Sequence, residues 1–374
     1  MEQFVEYELG TICSRLSSGK GISAKNITEQ GAFPVFGGNG LRGYTNTSNF
    51  KGDCAIIGRQ GAFCGNVRYF CGEAYMTEHA VVCCANEYHN TRYLAYLLST
   101  MNLGRLSGQS AQPGLSVKTL AKQIVKMPSL EQQQKVASLL AALDSKIAAN
   151  EKINDNLQQQ AYAYFLRLFV ENADPSWRVG TITDLGAVVG GGTPSKAKPE
   201  YYTEDGIAWI TPKDLSVDKS KFIAHGENDI SELGYRNSSA TMMPAGTVLF
   251  SSRAPIGYIA IASNEVTTNQ GFKSVVPRPE IGTPFVYYFL LHNLPLIESK
   301  ASGSTFKEVS GSVMKSVEAV IPDGDTIAKF NDFCCPVFKL QEKLELENRK
   351  LAALRDSLLP RLMSGEIDVS DIDI

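Results

Sequence analysis

The chain has 374 residues, 43% of them hydrophobic and 20% charged, with a formal net charge of -3. That length holds two or three domains of ordinary size, and the proportions are those of a soluble globular protein. No apolar run approaches the roughly 18 residues that span a bilayer, and the acidic start MEQFVEYELG lacks the apolar core of a signal peptide, so a cytoplasmic location without membrane contact is expected.

The acidic total hides an uneven distribution. Residues 1–130 carry 12 Lys+Arg against 8 Asp+Glu, whereas 131–174 carry 4 against 6 and 323–374 carry 7 against 11. Acid thus gathers in two stretches read below as helices, and the globular parts stay neutral to basic, as steering a polyanion requires. The eight cysteines have no regular spacing and fit reduced thiols rather than a disulfide framework.

In chain order, the first notable stretch is Val35–Tyr44, VFGGNGLRGY. Its Phe36–Gly40 reads as F-x-G-x-G, the glycine pattern of an adenine-methylating enzyme's cofactor loop. Short apolar runs at Ala55–Ile57 and Ala80–Val82 predict strands, and Thr91–Met101 predicts a helix. His79, Cys83, Cys84 and His89 are of metal-ligating type, but the preceding Ala-Val-Val makes Cys83-Cys84 a buried strand, so no metal is expected.

From Ser129, a mostly apolar set of positions recurs at alternating spacings of four and three: Val136, Leu140, Leu143, Ile147, Asn150, Asn154, Leu157, Ala161, Tyr164 and Leu168. This is a heptad-like seam along one long helix, with Ser129 placed to cap it. Asp174-Pro-Ser-Trp177 is a turn. It lacks the second proline of the Asn/Asp-Pro-Pro-aromatic motif with which a base methylase holds a flipped base. Gly190–Lys196 lacks P-loop spacing, so no nucleotide site is read there.

The second half predicts strands at Thr247–Phe250, Tyr258–Ile261 and Lys273–Val276, and a helix at Pro284–Ser299. A second seam begins after Asp323 and runs through Phe330, Cys334, Val337, Gln341, Leu344, Asn348, Leu351, Arg355, Leu358 and Leu362, with Cys334-Cys335 read as apolar packing.

Self-comparison organises these elements. Leu9-Gly10 matches Leu185-Gly186, Ile57–Arg59 matches Ser251–Arg253, and Tyr93–Leu98 matches Phe285–Leu290. From Ile124–Pro128, paired with Glu318–Pro322, the offset stays at 194 through Asn154/Asn348 and Leu157/Leu351. The expected class is α+β, a tandem pseudo-repeat of two mixed α/β domains separated by two long antiparallel coiled-coil helices: 1–128, 129–172, 173–322 and 323–374. Leu140, Leu143, Ile147, Leu157, Val337, Leu344, Leu351 and Leu358 form the expected seam, and Asn154 and Asn348 are expected to specify its register.

Ser18–Ser23, Phe33–Gly40, Gly58–Gly61, Gly191–Ser195, Trp209–Leu215, Gly303–Lys307 and Leu358–Gly365, set in this repeat, resemble the DNA specificity subunits of type I restriction-modification systems. The resemblance covers nearly the whole chain. It implies a non-catalytic DNA reader whose two target-recognition domains address a split, asymmetric duplex target, with the helices acting as a spacer. It implies two modification subunits carrying S-adenosylmethionine, which methylate adenine, and two ATP- and Mg-dependent restriction subunits as optional further members. No cofactor is then expected in this chain. A self-contained adenine methyltransferase using Phe36–Gly40 is the alternative.

Polar residues on glycine-flanked loops are the candidate DNA contacts, because Arg, Lys, Asn and Gln make paired hydrogen bonds to base edges or reach phosphates. In the first half they are Lys20, Asn39, Arg42, Tyr44, Arg59, Gln60, Gln109, Ser110 and Gln112. In the second they are Thr193, Ser195, Lys196, Lys213, Arg253, Asn269, Gln270, Ser304, Thr305 and Lys307. Arg59 and Arg253 recur at matching places in the repeat, with an internal salt bridge as their rival role.

Overall fold

A computed structural model describes residues 4–107, 114–303 and 307–369. The chain divides into two compact units, Met1–Ala148 with Arg349–Ile374, and Ala149–Asn348. Each long helix, Leu130–Leu166 and Gly324–Met363, thereby contributes one part to each unit.

In the first unit the strands Cys13–Ser18, Ala80–Ala85, Phe50–Gly58, Val67–Met76, Phe33–Gly37 and Gly40–Thr45 form one sheet in that order. All pairings are antiparallel except Phe33–Gly37 with Val67–Met76. Cys83 on the Ala80–Ala85 strand is fully buried. One face of the sheet packs on the helix Thr91–Thr100, started by Asn90, whose side chain accepts from the Tyr93 N–H. Val136, Ala137 and Leu140 of the first long helix share that core with Leu362 and Met363 of the second.

The second unit repeats the plan. Its larger sheet runs Gly186–Gly190, Lys273–Pro277, Val248–Ser252, Ile256–Ala262 and Phe222–Ile223, and its first four strands keep the first unit's order. A smaller sheet of Tyr202–Thr203, Asp229–Ile230, Ile207–Ile210 and Thr267–Thr268 lies in the same unit. The repeat extends to a two-stranded ribbon before each long helix. Val5–Glu8 pairs with Ile124–Met127, and Arg178–Thr181 with Glu318–Ile321. The fold is thus a tandem α+β repeat.

The expected helix Pro284–Ser299 is two helices, Thr283–His292 and Leu294–Ser299. Pro295 lacks the N–H that would continue the ladder, so the chain restarts there. Pro336 lies inside the Gly324–Met363 helix without ending it. Cys334 is buried as expected, but Cys335 is exposed. Both caps form: Ser129 Oγ accepts from the Gln132 N–H at 3.4 Å and Asp323 Oδ1 from the Thr326 N–H at 2.9 Å.

Leu140 and Leu344 are buried on the seam, and Leu143, Ile147, Leu157, Val337, Leu351 and Leu358 are half-buried. Asp144 meets Arg355, Asn150 meets Asn348 and Gln341 meets the Asn154 carbonyl, so numbers rise along one helix and fall along the other: the pairing is antiparallel. The polar register contact differs from expectation. Asn348 Oδ1 accepts from fully buried Asn150 at 2.8 Å, and the Asn154 side chain takes no part in it. In an antiparallel pair, positions equivalent by repeat face each other only at the centre of the pair, and Asn154 and Asn348 lie off that centre.

Candidate nucleic-acid interface

In the first unit, backbone hydrogen bonds knit four turns at one end of the six-stranded sheet. Gly19 N donates to Ala80 O, Lys20 N to Met76 O, Thr77 N to Phe36 O and Arg59 N to His79 O, all within 2.9–3.0 Å. Lys20, Asn39, Arg42 and Gln60 are exposed there, and Arg59 is half-buried, its Nη1 3.4 Å from Ser18 Oγ. Arg59 is therefore held by a hydroxyl rather than an acid. Arg68, which no sequence motif marked, is exposed and lies beside Gly40. Gln109, Ser110 and Gln112 fall outside the described residues.

VFGGNGLRGY is a β-hairpin. Gly37 pairs with Gly40 across the Gly38-Asn39 turn, and Gly40 has φ +98°, a conformation that favours glycine. Arg42 and Tyr44 belong to the returning strand, and half-buried Tyr44 exchanges backbone hydrogen bonds with Thr28 at 2.8 and 2.9 Å. A dinucleotide-type cofactor loop joins a strand to a helix whose N-terminus faces the ligand. Phe36–Gly40 joins two antiparallel strands and does not fit that role.

In the second unit a cleft of about 670 Å³ gathers six expected residues, Thr193, Lys196, Lys213, Arg253, Asn269 and Gln270. Tyr202, Trp209, Thr211 and Asn228 join them on its lining. The walls are built from distant segments. Trp209 Nε1 donates to Gly192 O at 2.9 Å and Tyr202 Oη to Pro194 O at 2.8 Å, fixing the glycine-rich strand end that carries Thr193. Asp214 accepts from Thr211 N, Thr211 Oγ1 and Glu227 N at 2.6–2.8 Å, so its charge starts the short helix Pro212–Val217 and orients Lys213. Lys213 Nζ lies 2.5 Å from Glu227 Oε2, and that hydrogen bond raises the ammonium's pKa, keeping it charged. Gln270 contacts the Thr193 hydroxyl. Asn269 spends its Oδ1 on Gly271 N at 2.8 Å.

Arg253 makes the internal ion pair that was its rival role, 3.3 Å from Glu308 Oε2. Lys273 Nζ approaches the other Glu308 oxygen at 3.5 Å, so two cations share one carboxylate, and one of them, Arg253, lines the cleft. Ser195 and Lys307 are exposed outside the cleft lining, and Ser304 and Thr305 fall outside the described residues. Trp209 belongs to the Trp209–Leu215 segment that carries part of the family resemblance. Asn228 had no signal in the sequence, because its place depends on the smaller sheet.

A profile of the type I restriction modification DNA specificity domain matches residues 1–159 and 175–352. Over 148 residues the chain is 43% identical to the type I restriction enzyme MjaIX specificity subunit of Methanocaldococcus jannaschii, covering 39% of this chain and 34% of that one. It is 41% identical over 135 residues to the EcoprrI specificity subunit of Escherichia coli, covering 35% and 34%. Those two alignments span only about a third of each relative. The HindI specificity subunit of Haemophilus influenzae is 24% identical over 331 residues, covering 68% and 71%. Among solved structures, the type I restriction-modification S subunit from M. genitalium shares the fold at 16% identity and a TM-score of 0.67, over 96% of both chains. Among the described residues no helix is long and apolar enough to cross a membrane. With a specificity-domain match in each half, and four strands in the same order in the main sheet of both, the chain belongs to the type I restriction modification DNA specificity domain family.

Proposed function

We propose that this chain is the non-catalytic DNA-reading subunit of a type I restriction-modification complex, recognising a bipartite duplex target with one reader in 1–128 and the other in 173–322, and working in the cytoplasm. The observation that carries the reading is the second unit's cleft, where amide, hydroxyl and cationic side chains from segments 193–196, 213, 253 and 269–270 meet on one surface. Such groups are the donors and acceptors that distinguish base edges in a major groove, while lysines engage phosphates. In the first unit Lys20, Asn39, Arg59 and Gln60 stand on turns that backbone hydrogen bonds hold together, with Arg42 on the strand that follows the Gly38-Asn39 turn. Two modification subunits supply S-adenosylmethionine-dependent adenine methylation, and restriction subunits, where present, supply ATP- and Mg-dependent cleavage.

The test is to express the chain with its modification subunit and map methylated adenines across the host genome. A single split, non-palindromic motif that disappears when this chain is deleted is expected. Methylation unchanged by the deletion, or methyl transfer to DNA by the chain alone, overturns the proposal.

A further inference from the structure

Glu308 is the acid that meets Arg253, and its surroundings fix it from both sides. Its Oε2 lies 3.3 Å from Arg253 Nη1 and its Oε1 3.5 Å from Lys273 Nζ, which also reaches the Gln270 carbonyl at 3.3 Å. Main-chain bonds set the place of the acid. Glu308 N donates to Ser302 O at 2.9 Å, and the next residue, Val309, donates its N–H to Ser252 O at 3.0 Å, so the chain carrying the acid is stitched to the strand end carrying the arginine. That strand end is itself held: Ser252 N donates to Gly271 O at 2.7 Å and Ser251 Oγ to Pro255 O at 2.9 Å. Ala254, directly after Arg253, has φ +55°, a left-handed conformation that costs a non-glycine residue energy and persists where its neighbours dictate it.

The pair is too exposed to serve the fold. Arg253 and Glu308 are 36% and 35% exposed, and ion pairs open to water contribute little stability. The repeat sharpens the point. The offset of 194 that relates Arg59 to Arg253 also relates Gly114 to Glu308, so the first unit has no acid at this place, and the side-chain partner of its arginine is Ser18 Oγ at 3.4 Å. Of two equivalent arginines, the second is held by a carboxylate.

A guanidinium carries five N–H donors in a rigid plane. The bond from Nη1 to Glu308 fixes that plane, and among the described residues Nε and Nη2 have no partner. Those two adjacent donors form one edge of the fork, and the N7 and O6 acceptors of guanine in a major groove match it. The same carboxylate offsets the arginine's charge, which weakens its hold on a phosphate, where charge counts for more than direction. Arg253 is part of the cleft lining and Glu308 is not, so the acid acts through the arginine. We propose that Glu308 is a positioning residue that commits Arg253 to a guanine in the half-site read by the second unit, in place of a backbone phosphate. This rests on the reading of the cleft as a DNA-recognition surface.

The experiment uses the full-length chain in complex with its modification subunit. A random duplex library is selected and sequenced, and affinity for a matched and a scrambled duplex is followed against salt by fluorescence anisotropy. Wild type requires a guanine at one position of the second half-site, and Arg253→Lys, which keeps the charge but lacks the fork, loses preference at that position. Glu308→Gln lowers preference at the same position about tenfold and leaves the other positions and the first half-site unchanged. It also binds scrambled duplex more tightly, with a salt slope steeper by about 1, as the unmasked arginine takes a phosphate. Glu308→Asp, which keeps the charge, binds scrambled duplex as wild type does. An acid that merely supports the fold would weaken matched and scrambled binding together. That result, an unchanged preference in Glu308→Gln, a preferred base other than guanine at the position lost in Arg253→Lys, or scrambled binding by Glu308→Asp that equals that of Glu308→Gln overturns the proposal while DNA reading stands. If the wild-type pool acquires no preferred sequence, the reading of the chain as a DNA reader fails first.

Discussion

Phe165 gives the sharpest test of the packing. It lies in the first long helix, one position beyond the seam residue Tyr164, and is 2% exposed. Its ring centre stands 5.3–6.4 Å from those of Tyr162, Phe169, Phe285, Tyr288, His292 and Phe330, so one side chain joins both long helices to the helix Thr283–His292. Truncating a buried Phe to Ala costs about 3–5 kcal/mol, and the aromatic contacts put this site towards the upper end of that range. The chain has two tryptophans, Trp177 and Trp209, both within Ala149–Asn348, so tryptophan fluorescence reports unfolding of that unit. With a urea dependence of about 3 kcal/mol per molar for a unit of this size, Phe165→Ala should lower the midpoint by about 1.5 M. A drop below about 0.3 M would mean that the ring cluster closes over the gap and does not join the helices in the manner described.

Lys221, 8% exposed and held by Gln158 and Gln341 of the two long helices, also makes a stability prediction. Because its folded pKa lies below its unfolded one, the cost of burying the charge is full below about pH 7 and fades towards pH 10.5. The stability of wild type relative to Lys221→Met should therefore rise with pH across that window, by up to about 5 kcal/mol in urea titrations, and a flat difference refutes it. Arg59→Ala should erode preference at one half-site and Arg253→Ala at the other, read by sequencing selected duplexes; equal loss at both contradicts two separate readers. Losing the Arg253–Glu308 pair should change stability by no more than about 1 kcal/mol, since both side chains are about a third exposed. If Lys196 and Lys213 face phosphates, replacing either with Gln lowers the slope of log affinity against log salt by about 1, measured by fluorescence anisotropy, with the sequence preference intact.

Much of the architecture was legible because it is written in local periodicity. The seam residues from Val136 to Leu168 and from Phe330 to Leu362 are mostly buried or half-buried, on helices that begin beside Ser129 and Asp323. The constant offset between the halves reappears as equivalent ribbons, Ile124–Met127 and Glu318–Ile321. Periodicity could not say which seam residues face each other: Asn154 and Asn348 stood out as matching polar positions, and the folded pair sets Asn348 against Asn150. Nor could a glycine pattern tell a cofactor loop from a hairpin. Both need the same backbone freedom, and they differ in whether the chain continues into a helix or a returning strand.

The candidate site was legible as residue types and not as an arrangement. Polar side chains beside glycines named Thr193, Lys196, Lys213, Arg253, Asn269 and Gln270, and strand pairing between distant segments brought them to one cleft. The same pairing gave Arg253 its partner Glu308 and added Asn228 and Trp209. Lys221 was an unremarkable lysine between a serine and a phenylalanine until both long helices presented glutamines to it. Helices and caps are set by neighbours a few residues apart and the repeat by likeness between the two halves of the chain, so the order of residues was enough to specify them. Which charges are paired, which are buried and which share a surface depends on residues tens to hundreds of positions away, and the folded arrangement alone settles those properties.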